Sequence, residues 1–368
     1  MSEKSVNEKK DSDQAFPGKI AVITTFLGIN DDDYHCADRL VAKYGADKIM
    51  HVTWPEDFLT EQEEMMDIAE KLAGDQDIKI LIINQAVEGT DAAVDKFKET
   101  RKDVFIIYCN TNERPLDAVT RANLIISINR MSIGAAMVKQ ASKQGAKVFV
   151  HYSILRHMEI PYLYICRDRI RETCMTVGLQ FLDITVPDPV GEAGLGAAQK
   201  FILGDVPKLV ARYGENTAFY STTCSLQAPL IKAVVNSHAI FPQPCCPSPY
   251  HGFPEALGIK MGEGQADLNY VISEACRIAA EKNMTDRLST WPVASGMMFA
   301  NAGAEYAIKW IKGEVPKAGI DRLVLEECMN NFIEEVVGEA SNIYMTSYSS
   351  GEKVFDNYKL ILMSYLDF

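Results

Sequence analysis

The feature that most limits what this chain can fold into is a rhythm. From Lys19 onward, short apolar, β-branched runs alternate with amphipathic stretches; "KIAVITTF", "KIMHVTW", "IKILIINQ", "DVFIIYCN" and "NLIISIN" are the first five runs. Helical patterns such as "EDFLTEQEEMMDIAEKLAG" and "TDAAVDKFKETR" fill the gaps. Continuous apolar runs suit strands covered on both faces, and parallel strands need a helical crossover between them. That crossover is right-handed, so the pattern predicts a doubly wound α/β unit with a parallel sheet.

The rhythm restarts near residue 130 with no Pro-, Gly- or Ser-rich linker. "KVFVHYSI", "QFLDITVP", "TAFYSTT" and "AIFPQP" read as a second series of strands, with helices between them and a break or kink near Pro207. A chain of 368 residues exceeds one ordinary core. Two Rossmann-like lobes joined by hinge crossovers are therefore expected. Lobe 1 takes residues 19–127 plus 295–368 and lobe 2 takes 128–294, with crossings around Ser127–Arg130 and Trp291–Ser295. Residues 1–18 are polar and lack the apolar segment of a secretory signal, which predicts a disordered tail and a cytoplasmic chain. The alternative is an exported lipoprotein whose signal is missing from this chain.

Charge and cysteine usage narrow the partners. A formal net charge of -13 argues against a general phosphate-contact surface, hence against nucleic acid, and against an anionic membrane surface. No apolar run reaches the roughly 18 residues of a transmembrane helix. Nine cysteines, most of them inside apolar runs (Cys109, Cys166, Cys276, Cys328), suit a reducing compartment better than a disulfide framework.

In open α/β sheets the ligand sits beyond the carboxyl ends of the strands, so the residues just after each run are the informative ones. In lobe 1 these are Phe26, Asn30, Asp31, Trp54, Gln85 and Asn110; in lobe 2, Tyr152, Tyr220, Ser221, Thr222, Gln243, Cys245, Tyr250 and Trp291. The set is rich in amides, hydroxyls and aromatics and poor in paired carboxylates. Such groups fit a small polar ligand, sugar- or nucleoside-like. Several of them equally suit helix caps and turns.

Catalytic signatures are missing. There is no GxxxxGK[ST], no GxSxG and no HExxH, and the turn after the first run, "TTFLGINDDD", lacks GxGxxG. The loop "IFPQPCCPSPYHGFPEALGI" offers Cys245, Cys246 and His251, side chains able to bind a soft metal or to act as nucleophile and base. Adjacent cysteines chelate poorly, however, a closing CxxC-type pair is missing, and no third group orients a catalytic pair. Five prolines in the loop fix its backbone. We read it as a rigid pocket rim, with no metal and no cofactor expected.

The order of elements resembles the type I periplasmic-binding-protein-like fold. Sugar and nucleoside solute-binding proteins share that fold, including the basic membrane lipoprotein group, as do the ligand domains of lac-repressor-type regulators. "FYSTTCSLQAPLIKAVV" with the proline loop resembles, more closely, a poorly characterised bacterial family described as solute-binding lipoproteins or regulators. The resemblance implies non-catalytic binding of a small polar ligand in the interlobe cleft, by a monomer or dimer. The downstream partner would be an ABC transporter or a signalling protein. The alternatives are a component of a ligand-sensing transcriptional regulator and an enzyme using Asp31, Cys245 or His251. Direct DNA binding is not expected, because residues 1–18 hold no helix-turn-helix headpiece.

Overall fold

The computed structural model describes residues 16–27, 31–261 and 268–368. The chain begins with β1 (Lys19–Thr24), α1 (Asp31–Tyr34), α2 (Cys36–Tyr44), β2 (Ile49–Thr53), α3 (Gln62–Ala73) and β3 (Ile78–Asn84). It continues through α4 (Thr90–Lys98), β4 (Phe105–Cys109), α5 (Pro115–Arg121) and β5 (Leu124–Ile128). Next come α6 (Ile133–Lys143), β6 (Val148–Ser153), α7 (Pro161–Val177), β7 (Gln180–Thr185), α8 (Gly194–Tyr213) and β8 (Thr217–Ser221). Helices α9 (Gln227–Asn236), α10 (Phe253–Leu257) and α11 (Leu268–Glu281) lead to β9 (Ser289–Thr290). The chain closes with α12 (Ser295–Lys312), α13 (Arg322–Val337), β10 (Ile343–Ser350), β11 (Lys353–Met363) and β12 (Leu366–Asp367).

Two compact units result. The first holds residues up to Ile128 with Ser295–Glu335 and Ile343–Ile361; the second holds Asn129–Ala294, Val336–Asn342 and Leu362–Phe368. Val336–Asn342 and the last seven residues thus join the second unit rather than the first, where the sequence reading puts them. For the last seven the cause is local: β12 pairs antiparallel with β9, Leu366 against Thr290 and Asp367 against Ser289.

The first unit carries a seven-stranded sheet in the order β10-β11-β5-β4-β3-β1-β2. Strands β2, β1, β3, β4, β5 and β11 pair in parallel, with Ile23 opposite both Val52 and Ile83. The apolar runs behave as both-face burial requires: all of β4 and β5 is buried. Each fully buried Ile or Leu side chain contributes about 1.5–3 kcal/mol of transfer free energy. Strand β10, "IYMTSYSS", was not anticipated, because its apolar residues are too few to stand out. Three residues of the expected tail, Phe16 to Gly18, are among the described ones. Phe16 is buried edge-on against Tyr44 at 5.7 Å, so residues 16–18 are anchored. Residues 1–15 lie outside the described residues.

The second unit repeats the plan on a smaller scale. Its sheet runs β7-β6-β8, all parallel, and single bridges from Ala218 to Ile240 and from Phe241 to Leu288 extend it. The "AIFPQP" run therefore forms isolated bridges rather than a full strand, since three prolines within 242–247 remove the donors a ladder needs. Pro207 sits inside α8 without ending it. In both units the strand order reverses once, between β1 and β3 and between β6 and β8. Ligands of open α/β sheets bind at such switch points, outside the carboxyl ends.

Candidate ligand-binding edges and a thiol cluster

At the switch point of the first unit, polar side-chain atoms are buried without hydrogen-bond partners among the described residues. The hydroxyl of Thr25, just past β1, is one, and the indole N–H of Trp54, just past β2, is another. Asn84 Oδ1 at the end of β3, Gln85 Oε1 beside it and Thr90 Oγ1 at the start of α4 complete the group. Gln85 also adopts a left-handed backbone, φ 66°, and so does Asn110 after β4, φ 47°. Such conformations cost a non-glycine residue about 1–3 kcal/mol and cluster at functional sites.

Phe26 and Trp54 line a hollow of about 480 Å³ with Pro55 and the carboxylate residues Glu56, Asp57, Glu61 and Glu64. Trp54 is only 2% exposed and packs in the core, so little of its ring is open to the hollow. Asn110 is committed elsewhere: its Oδ1 accepts from the Ile128 N–H at 3.2 Å and ties β4 to β5. Asn30 lies outside the described residues, and Asp31 opens α1 with its side chain outside them.

The corresponding edge of the second unit is partly satisfied. The Thr222 hydroxyl meets His157 Nδ1 at 2.9 Å, and Ser221 Oγ accepts from the Thr223 N–H at 3.2 Å. Gln227 donates to the carbonyls of Ser221 and Thr223, while its Oε1 and the Thr223 hydroxyl stay unpaired. Gln243 accepts from the Tyr365 hydroxyl, and Tyr365 also hydrogen-bonds Trp291, which is itself buried. Tyr220, 5% exposed, stacks on His151 at 5.8 Å, and burial pushes its phenol pKa up. Tyr250 is half-buried against the core. Tyr152 turns away from the edge; fully buried, it donates to Asp205 at 3.0 Å from within β6. Its role is to hold α8 to the sheet.

Beside this network lies a feature that sequence reasoning left incomplete. Cys224 follows β8, and the proline loop brings Cys245, Cys246 and His251 to it. One ligand atom from each lies within 4.8 Å of all the others. Cys224 Sγ is 3.4 Å from Cys245 Sγ, which is 3.4 Å from His251 Nε2. Hydrogen bonds from Cys245 and Cys246 hold the Cys224 thiol well below its ordinary range, and the Arg130 guanidinium adds to the effect. The same bonds push Cys245 and Cys246 up. Cys224 stood in "STTCS", two residues past Thr222, which the sequence reading places at the strand end. Tyr365 gave no signal, because only the antiparallel return of the C-terminus brings it to this edge.

Two parallel α/β sheets with matching switch points define the class: the fold is the type I periplasmic-binding-protein-like α/β fold. A crystal structure of a candidate transcriptional regulator from Clostridium difficile 630 superimposes with a TM-score of 0.84 at 20% identity, covering 96% of this chain and 100% of that one. A sugar ABC transporter structure from Actinomyces odontolyticus ATCC 17982 gives a TM-score of 0.53 at 10% identity, over 83% and 86% of the two chains. The chain belongs to the family described as "Protein of unknown function (DUF3798)", whose model matches residues 18–289. An uncharacterised protein of Treponema pallidum (strain Nichols) is 32% identical over 165 residues, 45% of this chain and 76% of that protein. Among the described residues, no helix is long and apolar enough to cross a membrane.

Proposed function

We propose that the chain binds a small, neutral, polar molecule, sugar- or nucleoside-like, without transforming it, as a solute-binding or sensor protein. The observation supporting this reading is the group of five partnerless buried polar atoms at the strand ends of the first unit, on Thr25, Trp54, Asn84, Gln85 and Thr90. An unpaired buried polar group costs about 1–3 kcal/mol, and a binding site is where a ligand removes that cost. The group mixes one indole donor with hydroxyl and amide oxygens. Ligand hydroxyls both donate and accept, so they answer such a mixture. Glu56, Asp57, Glu61 and Glu64 around the hollow disfavour an anion.

In the second unit, Tyr220, Ser221, Thr222, Gln243, Cys245, Tyr250 and Trp291 remain the proposed contributors, with an ABC transporter or a signalling protein as downstream partner. The direct test is a thermal-shift panel of sugars, polyols, nucleosides and purines on the full chain, followed by calorimetry. A ligand at a hundred times its Kd adds about 2.7 kcal/mol of stability. Trp54→Phe removes the orphan donor and Gln85→Ala an orphan acceptor, and each should weaken binding about tenfold or more. A panel without any shift, or a ligand indifferent to both substitutions, rejects the proposal.

A further inference from the structure

We propose that Cys224, Cys245, Cys246 and His251 hold one thiolate-favouring metal ion, Zn2+, at the carboxyl edge of the second unit's sheet. Three thiols and an imidazole form a complete ligand set for a closed tetrahedral zinc site, and soft sulfur donors select for such an ion. With metal–ligand bonds of about 2.0–2.3 Å, a tetrahedral site sets its ligand atoms about 3.5–3.8 Å apart. Two of the contacts are already 3.4 Å, and none of the four atoms is more than 4.8 Å from another. Collapse onto an ion therefore needs movements of about 1 Å.

The objection from sequence is that adjacent cysteines chelate poorly. That holds in an extended strand, where successive side chains alternate. Here the backbone bends at Cys245 and Cys246, and both thiols reach Cys224. The missing closing ligand is Cys224, supplied by a different loop, 21 residues earlier.

The two loops are clamped together by something other than the cysteines. Gly252, next to His251, has φ 83°, and a Cβ there would lie 2.8 Å from the Gln227 side chain and 3.0 Å from the Ala228 nitrogen. This close approach presses the His251 end of the proline loop onto the start of α9, which Cys224 precedes by three residues. The four donors are thus preorganised by backbone packing. Cys224 and Cys246 are exposed, so an ion reaches them without opening the fold. A single disulfide would use two sulfurs and leave a third thiol and the histidine beside it unexplained.

The site makes an experimental claim that does not depend on any organic ligand. The full chain, reduced and freed of metal, is titrated with Zn2+ against a chromophoric chelator, and with Co2+ for its absorption spectrum. One equivalent of Zn2+ per chain is expected, together with a thiolate-to-cobalt charge-transfer band and tetrahedral d–d bands. Cys224→Ser and Cys246→Ser, both at exposed positions, should each lower zinc affinity beyond the roughly 10–100-fold that outer-shell changes cost. Cys276→Ser, outside the cluster on α11, should leave the affinity unchanged, and circular dichroism of the metal-free variants verifies their fold. Substoichiometric zinc in the reduced chain overturns the proposal. So does binding that survives both serine substitutions, a cobalt spectrum without the thiolate band, or stoichiometric copper(I) binding in place of zinc.

Discussion

Around β1, β2 and β3 the first unit leaves Thr25, Trp54, Asn84 and Gln85 with buried polar atoms unanswered among the described residues, whereas after β8 the second unit answers Ser221 and Thr222 and leaves one oxygen each of Thr223 and Gln227 unpaired. Both edges grow from the same strand order, so topology does not cause the difference. Its origin lies in the loops. At the first unit's strand ends the chain answers some groups: Asn84 Nδ2 donates to the Asp33 carbonyl and Asn110 Oδ1 accepts from the Ile128 amide. Among the described residues it leaves atoms of Thr25, Trp54 and Gln85 unanswered. The second unit folds a proline-rich loop and its C-terminal residues over the strand ends, and these supply Gln243, Tyr365 and two of the three clustered thiols. The first edge leaves more of its groups for a guest to answer; the second answers more of its own and, on our proposal, also holds an ion.

The largest effect that would sharpen this contrast comes from Gly252. A side chain there meets the Gln227 side chain and the Ala228 backbone and must also hold a positive φ. Gly252→Ala should cost about 2–4 kcal/mol, combining left-handed strain with overpacking. Chemical denaturation of the reduced, metal-free chain measures it. A cost below about 0.5 kcal/mol, the range of neutral surface changes, would show that the loop is not clamped and that the second edge is as loose as the first.

A matched pair of threonines tests the contrast more finely. Thr25 and Thr222 are both buried, but Thr25 Oγ1 has no partner among the described residues while Thr222 Oγ1 is bonded to His157. Valine keeps the shape and removes the hydroxyl. Thr222→Val should lose about 1 kcal/mol, whereas Thr25→Val should gain up to about 1 kcal/mol in the ligand-free chain and weaken ligand binding. Equal signs for the two would erase the distinction between an open edge and a filled one.

The sequence made the sheets legible because their signal is periodic and local. Runs such as "ILIIN" and "FIIYC" admit few readings other than a buried parallel strand. The strand-end residues were legible too, since topology assigns them a place: Trp54, Gln85 and Thr222 fall at the edges for that reason alone. What each one does there was not. Tyr152 and Asn110 look like ligand groups in sequence, yet Asp205 and the Ile128 amide claim them through contacts that no local pattern encodes. The thiol cluster failed for the converse reason. Cys245, Cys246 and His251 lie within seven residues, but the fourth ligand arrives from across a β-α unit, and a spacing rule built on adjacent ligands does not reach it.

The smallest expected effect is a pH dependence that each unit carries through one histidine. His51 in β2 bonds Thr24 Oγ1 at 2.9 Å, and His157 bonds Thr222. Burial lowers the pKa of both below the ordinary 6.5, and for His157 the neighbouring Arg156 lowers it further. The folded state therefore binds fewer protons than the unfolded state at mildly acid pH. Each histidine's contribution is complete above about pH 6.5 and is lost as pH falls from there through the lowered folded pKa. Asp91 and Glu113, whose pKa values burial raises, act in the opposite direction, so the wild-type curve alone does not separate the terms. Comparing wild type with His51→Gln and His157→Gln does, because the carboxylate contributions are common to all three proteins. Melting curves from pH 7.5 to 5 should fall less steeply for each variant than for wild type. If His157→Gln flattens the slope and His51→Gln does not, the acid-sensitive packing belongs to the filled edge alone. Parallel curves for all three would mean that neither ring is held neutral by its surroundings.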